Sequence, residues 1–177
     1  MKLFLIRHEH TEVINGEAKL SEKGILQSKK LTKKLRDLKI DKIYSSDLER
    51  AKETAKEYSE NFVEDKRLRE VYRVLVGGPK KEGTSPNRES EDKKRADDFF
   101  NEIIENEGNF AIFCHGNIIR YFLNKIIKSK ENLWKNLVLD NCSISIIEKN
   151  ENGLFIRGIN LKGSFEEGME LENVYLE

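Results

Sequence analysis

Cysteine, proline and tryptophan are scarce in this 177-residue chain, with two, two and one copies, and histidine occurs only three times. The two cysteines, Cys114 and Cys142, lie far apart and form neither a metal-binding nor a redox motif. That excludes a disulfide framework and leads us to expect free thiols in a reducing, cytoplasmic compartment. No charge of one sign is in excess, since 32 Lys and Arg balance 32 Asp and Glu. Without a global field, nothing draws the chain to nucleic acid or to an acidic membrane surface. Long hydrophobic runs are missing too. The first, Leu3 to Ile6, stops at Arg7 and predicts neither a signal peptide nor a membrane span. The expected partner is therefore small or local.

What is present alternates between strand and helix patterns. "KLFLIR" (2–7) is a continuous apolar run ended by charge, as a central strand buried on both faces requires. "KLSEKGILQSKKLTKKLRDL" places Ile25, Ser28, Leu31 and Leu35 on one helical face, with Ser21 as N-cap and Leu20 with Ile25 as a hydrophobic staple. "DKIYSS" (41–46) predicts a second strand. From about Asp47 a second helix follows, with Leu48, Ala51, Thr54, Ala55 and Tyr58 at helical spacing. "NFVEDKRLRE" holds a short strand running into a loop. Both prolines fall within 75–92, a segment without periodicity that reads as a loop or lid. Ala96, Phe99, Phe100, Ile103 and Ile104 mark a third helix, "NFAIFCHG" (109–116) another buried strand, and "NIIRYFLNKII" the helix after it. "SISIIEKNENGLFIRGIN" predicts two antiparallel strands joined at 150–153. With no repeats and no second core, 1–177 predicts a single domain. Its expected architecture is an α/β three-layer α/β/α sandwich, with a mainly parallel central sheet and an antiparallel edge strand. That edge could pair across a homodimer or lie under the tail.

Three strand ends carry polar residues of one kind. The first ends in Arg7-His8, the second leads to Arg50 in the opening turn of its helix, and the last parallel strand ends in His115-Gly116. Ligands of open α/β sheets bind beyond the carboxyl ends of the strands, where helix N-termini add backbone donors for an anion. Two guanidiniums converging there repel each other unless a dianion lies between them, and phosphate suits the bidentate fork of arginine. The pair His8 and His10 also suits a metal site, with His115 and a carboxylate completing the shell, although that would place Arg7 beside a cation. Stray surface histidines are the remaining reading.

The blocks "FLIRHEHTE", "KLSEKGILQSKKL", "IYSSDLERAKETA", "RLRE" and "FCHGNIIRYFL" resemble, in order and over nearly the whole chain, the successive motifs of the histidine phosphatase superfamily, in its phosphoglycerate mutase-like branch. The resemblance implies a phosphoglycerate mutase-like fold and phosphoryl-transfer chemistry that needs no metal or other cofactor. It matches His8 to the histidine that becomes phosphorylated, Arg7, Arg50 and His115 to the phosphate pocket, and Glu70 to the acid that protonates the leaving group. The residue types agree with those roles. A neutral imidazole whose other nitrogen is held by a carbonyl is a nucleophile of fixed tautomer. Two arginines and a protonated His115 would stabilise the transferring phosphoryl group, and a carboxyl can protonate an alkoxide.

The chain departs from the family pattern after His8. Glu9 stands where glycine is usual, so the loop there could differ in shape and its carboxylate is expected to point away from phosphate. His10 becomes a rim residue able to touch substrate, and Asn15, one position off the family's usual asparagine, is a further phosphate ligand. Family mutases carry insertions that enclose the substrate, whereas this chain has only 75–92, which favours hydrolysis. "FCHGNIIRYFL", "NLWKNLVLDNCSISIIE" and "GLFIRGINLKGSFEEGM" resemble the family's mitochondrial protein serine/threonine phosphatases. The substrate is thus expected to be a phosphorylated small molecule or a phosphoprotein, with Lys80, Lys81 and Arg88 available to an acidic one. A mutase-type phosphotransferase, and a weakly catalytic phosphate-binding module, remain as alternatives.

Overall fold

The computed structural model describes residues 1–14, 17–36 and 38–162. The chain runs β1 (Lys2–Arg7), β2 (Thr11–Ile14), β3 (Glu17–Leu20), α1 (Glu22–Leu35), β4 (Lys42–Ser45), α2 (Glu49–Lys56) and β5 (Val63–Glu64). Two short 3₁₀ turns, Lys66–Leu68 and Arg73–Val76, lead to α3 (Arg88–Ile103), β6 (Asn109–Cys114), α4 (Gly116–Ile127), α5 (Leu133–Asn136), β7 (Ile144–Asn150) and β8 (Gly153–Leu161). The six-stranded sheet has the order β5-β4-β6-β1-β7-β8. Its first four strands are parallel, and β7 and β8 add antiparallel pairings on the other side of β1.

Alternation along the central strands builds a core on each face of the sheet. Leu3 and Leu5 of β1, with Phe110, Ile112 and Cys114 of β6, pack against Phe99 and Phe100 of α3 and Ile118 and Phe122 of α4. Phe4 and Ile6, with Ala111 and Phe113, face Leu31 and Leu35 of α1 and Ala55 of α2. This is the expected three-layer sandwich, and β7 with β8 forms the expected antiparallel pair joined at 150–153. Ser21 caps α1, its Oγ accepting from Gly24 N at 3.1 Å. The staple from Leu20 to Ile25 and the face position of Ser28 involve side chains outside the description.

Two regions differ from expectation. A small antiparallel hairpin, β2 with β3, fills the stretch between His10 and α1, where no strand is predicted. The irregular segment is also shorter than 75–92, because α3 already begins at Arg88. Among the described residues no helix is long and apolar enough to cross a membrane.

Candidate active site

Arg7 and Cys114 are register partners at the ends of β1 and β6. The residues that follow, His8 and His115, therefore leave neighbouring parallel strands side by side. Both are buried, and their rings meet edge to face with centroids 5.2 Å apart. Ser46, just beyond β4, and Arg50, in the first turn of α2, close the third side.

The hydrogen bonds fix the tautomer of His8. Nδ1 lies 2.8 Å from the Glu9 carbonyl, which can only accept, so Nδ1 carries the proton. Arg50 donates from Nε to His8 Nε2 at 3.1 Å, so Nε2 presents its lone pair. Burial pushes the His8 pKa down to about 3; the bond to the Glu9 carbonyl works against this, and Arg50 and Arg7 add to it. His115 is held well below the usual histidine value too, first by burial and then by Arg50 and His8. Burial and the neighbouring charges thus favour the neutral ring, against the protonated one expected from sequence. Ser46 Oγ meets its Nε2 at 2.9 Å.

Arg7 donates through Nη1 to the Leu139 carbonyl. Its Nε and His115 Nδ1 are buried and have no hydrogen-bond partner among the described residues. Neighbouring orphan nitrogens of this kind are what a ligand rich in oxygen satisfies. Gly116 opens α4 beside them, and a Cβ there would lie 3.0 Å from Arg120 Nη1 and 3.6 Å from Arg7 Nε. The missing side chain leaves room for both guanidiniums.

Glu70 reaches the same pocket from the irregular segment after the first 3₁₀ turn. Its Oε1 accepts from the backbone N–H groups of Asn117 at 2.8 Å and Ile118 at 3.1 Å, in the first turn of α4. Burial raises its pKa above the usual carboxylate range. The two N–H donors, then Arg50 and Arg7, oppose that rise without cancelling it.

The chain matches the description "Histidine phosphatase superfamily (branch 1)" over residues 3–91 and 79–162. The chain belongs to the histidine phosphatase superfamily. It is 29% identical to a probable phosphatase of Schizosaccharomyces pombe, over 86% of this chain and 89% of that one. Its fold is similar to that of the phosphoserine phosphatase of Entamoeba histolytica, solved with phosphoserine, at TM-score 0.71 and 20% identity over 90% and 96% of the two chains. It is similar as well to a mycobacterial glucosyl-3-phosphoglycerate phosphatase, at TM-score 0.71 and 19% identity over 92% and 99%. By family this chain is a phosphatase.

Within this histidine phosphatase, the structure brings together Arg7, His8, Arg50, Glu70, His115 and Gly116, while Asn15 lies outside the described residues. Glu9 is fully buried and its Cβ lies 3.4 Å from where one on Gly24 would stand, so the side chain leaves the backbone toward α1. Its φ is not among the positive values found at Lys128, Cys142 and Asn160, so a non-glycine residue fits here without strain. His10 is half-buried and tied to the start of α1: its Nδ1 meets Ser21 Oγ at 2.8 Å and its carbonyl accepts from Ser21 N at 3.1 Å. Nε2 of His8 faces the Arg50 guanidinium, while Nδ1 of His10 faces Ser21. Among the described residues no group of three or more His, Cys, Asp or Glu could hold one.

Two neighbours escape sequence reasoning. Asn141, before β7, donates from Nδ2 to the carbonyls of His8 at 3.0 Å and Glu9 at 2.6 Å, bracing the acceptor that sets the His8 tautomer. Ser46 engages His115. "SSD" and "DNC" carry no signal for either contact.

Proposed function

We propose that this enzyme hydrolyses phosphomonoesters in two steps through a phosphohistidine on His8. The observation that carries the reading is the divided imidazole: Nδ1–H spent on the Glu9 carbonyl, and Nε2 offered as a lone pair to Arg50, with Arg7 close enough to act on the ring. A phosphoryl dianion draws the Arg50 guanidinium from Nε2 onto its oxygens. Nε2 then attacks phosphorus, the bond to the ester oxygen breaks, and Glu70, whose burial favours the protonated form, gives its proton to the departing alkoxide. In the second step water attacks phosphorus and gives its proton to the Glu70 carboxylate. The P–N bond breaks, and phosphate and neutral His8 are restored. Arg7, Arg50 and the Nδ1 side of His115 take the phosphoryl oxygens, where most of the rate enhancement arises.

The leaving group would lie in a groove of about 510 Å³ lined by Tyr72, Arg73, Lys81, Arg88 and Asn117, with Glu82 as its one acid. Asn117 lends its N–H to Glu70, so this groove adjoins the acid. An excess of cations there favours a small phosphomonoester whose alcohol bears its own anionic group. Phosphoserine and glucosyl-3-phosphoglycerate, named for the structural relatives, both carry a carboxylate on that side.

The test is phosphate release from an aryl phosphate in excess chelator, by wild type and His8→Ala in parallel, with rapid alkaline quenching to trap label on protein. Release and an acid-labile label are expected from wild type alone. Release by His8→Ala at the wild-type rate would remove His8 from the chemistry. Label passing to a second position of a substrate instead of to inorganic phosphate would make the enzyme a mutase, and phosphate binding without turnover would make it a binding module.

A further inference from the structure

We infer that Arg95, locked to Asp92, is a positioning residue that holds Glu70 against the leaving-group oxygen; this rests on Glu70 being the acid. Between the 3₁₀ turn at Lys66–Leu68 and the next at Arg73–Val76, the backbone that carries Glu70 belongs to no helix or strand. Most of the side-chain hydrogen bonds to it come from α3, where Arg88 also reaches the Glu70 carbonyl at 3.4 Å. Arg95 donates through Nη1 to the carbonyls of Arg67 at 2.8 Å and Arg69 at 2.6 Å, and through Nη2 to that of Glu70 itself at 2.9 Å. The same guanidinium holds Asp92 Oδ1, from Nε at 3.0 Å and Nη2 at 2.8 Å. Asp92 Oδ2 then accepts from Tyr72 N at 2.8 Å and Arg88 Nε at 2.6 Å. One ion pair thus grips the chain before, at and after Glu70.

The anchor is rigid. Asp92 is buried, and α3 is rooted in the core by Ala96, Phe99, Phe100 and Ile103. The far end of Glu70 is pinned by α4, so the residue is held at backbone and carboxyl by two different helices. Only a planar fork with five donors can serve three carbonyls and a carboxylate at once; a lysine ammonium cannot. A proton donor misplaced by about 1 Å costs on the order of 100-fold in rate. Arg95 acts through Glu70 and touches no reacting atom.

The experiment compares kcat/KM for an aryl phosphate and an alkyl phosphate, in wild type, Glu70→Gln, Arg95→Met, Arg95→Lys and the Glu70→Gln/Arg95→Met double variant. The alkyl-to-aryl ratio is the readout. An aryl oxide leaves without a proton whereas an alkoxide does not, and the ratio is independent of how much of each preparation is folded. Arg95→Met is expected to lower the ratio by about 10- to 100-fold. Arg95→Lys should fall with it rather than with wild type, and supplies the reading if Arg95→Met does not fold. The double variant should show no lower ratio than Glu70→Gln alone. Wild-type ratios in both Arg95 variants, or a multiplicative double variant, overturn the positioning role. An unchanged ratio in Glu70→Gln would instead sink the acid assignment, and the positioning role with it.

Discussion

An imidazole offers two nitrogens, and at His8 a backbone carbonyl and a guanidinium divide them. The Glu9 carbonyl also accepts from Asn141, so the acceptor that sets the tautomer is itself held in place. Burial is the largest influence on the ring, ahead of the opposing bond to Glu9 and the charges of Arg50 and Arg7, and it lowers the pKa to about 3. An ordinary histidine changes charge between about pH 5 and 8. His8 should not. A ¹⁵N-histidine NMR titration is expected to show His8 as the neutral, Nδ1-protonated tautomer throughout that range. A midpoint near 6.5 for this ring would mean that the pocket does not exclude the proton from Nε2, and the nucleophile would then need another means of activation.

At the scale of elements, the pocket depends on the register of β1 with β6 and on how tightly α1 closes over the turn after His8. A Cβ added to Gly24 would stand 2.3 Å from the His10 carbonyl oxygen. Backbone cannot yield as a side chain end can, so Gly24→Ala is expected to destabilise the fold by about 1–3 kcal/mol, as overpacking does. It should also lower kcat, because the displaced turn carries the Glu9 carbonyl. Urea unfolding and kcat on the same preparation check this; full stability with full activity would show that α1 is free to move. The parallel strands were legible because both faces are buried, which leaves unbroken apolar runs such as Leu3–Ile6. The hairpin was harder. Four-residue strands interrupted by Glu12, Glu17 and Lys19 give little alternating pattern. Arg7, His8 and His115 could be read because each stands at or just past a strand end, and Arg50 because it lies in the opening turn of the helix after one. Asn141 could not, lying 132 positions from the carbonyl it braces. Arg95 was equally hidden, since a charge on an amphipathic helix shows its partners only after the loop has folded onto it.

For the molecule as a whole, placing two histidines of lowered pKa in one buried pocket couples stability to pH. The unfolded chain binds a proton at His8 below about 6.5, whereas the folded chain does so only near 3. Across that window the unfolded state holds more protons, so stability falls as pH falls, by about 1.4 kcal/mol per pH unit for each such group. His115, also lowered, acts in the same direction. Glu70 is raised, so it stabilises the folded state below its ordinary value of 4.5 and loses that contribution as pH rises through its folded value. Its opposition is confined to pH above 4.5. Asp47, held low by Arg69, adds its own acid loss. A substitution that removes one histidine separates these contributions. Urea unfolding between about pH 6.5 and 3.5 should show a steep decline in wild type and, in His8→Gln, a slope shallower by about 1.4 kcal/mol per unit. Equal slopes would mean that His8 takes up its proton in the folded state as readily as in the unfolded one. The pocket would then not be the dry, cationic enclosure that a phosphoryl dianion is needed to balance.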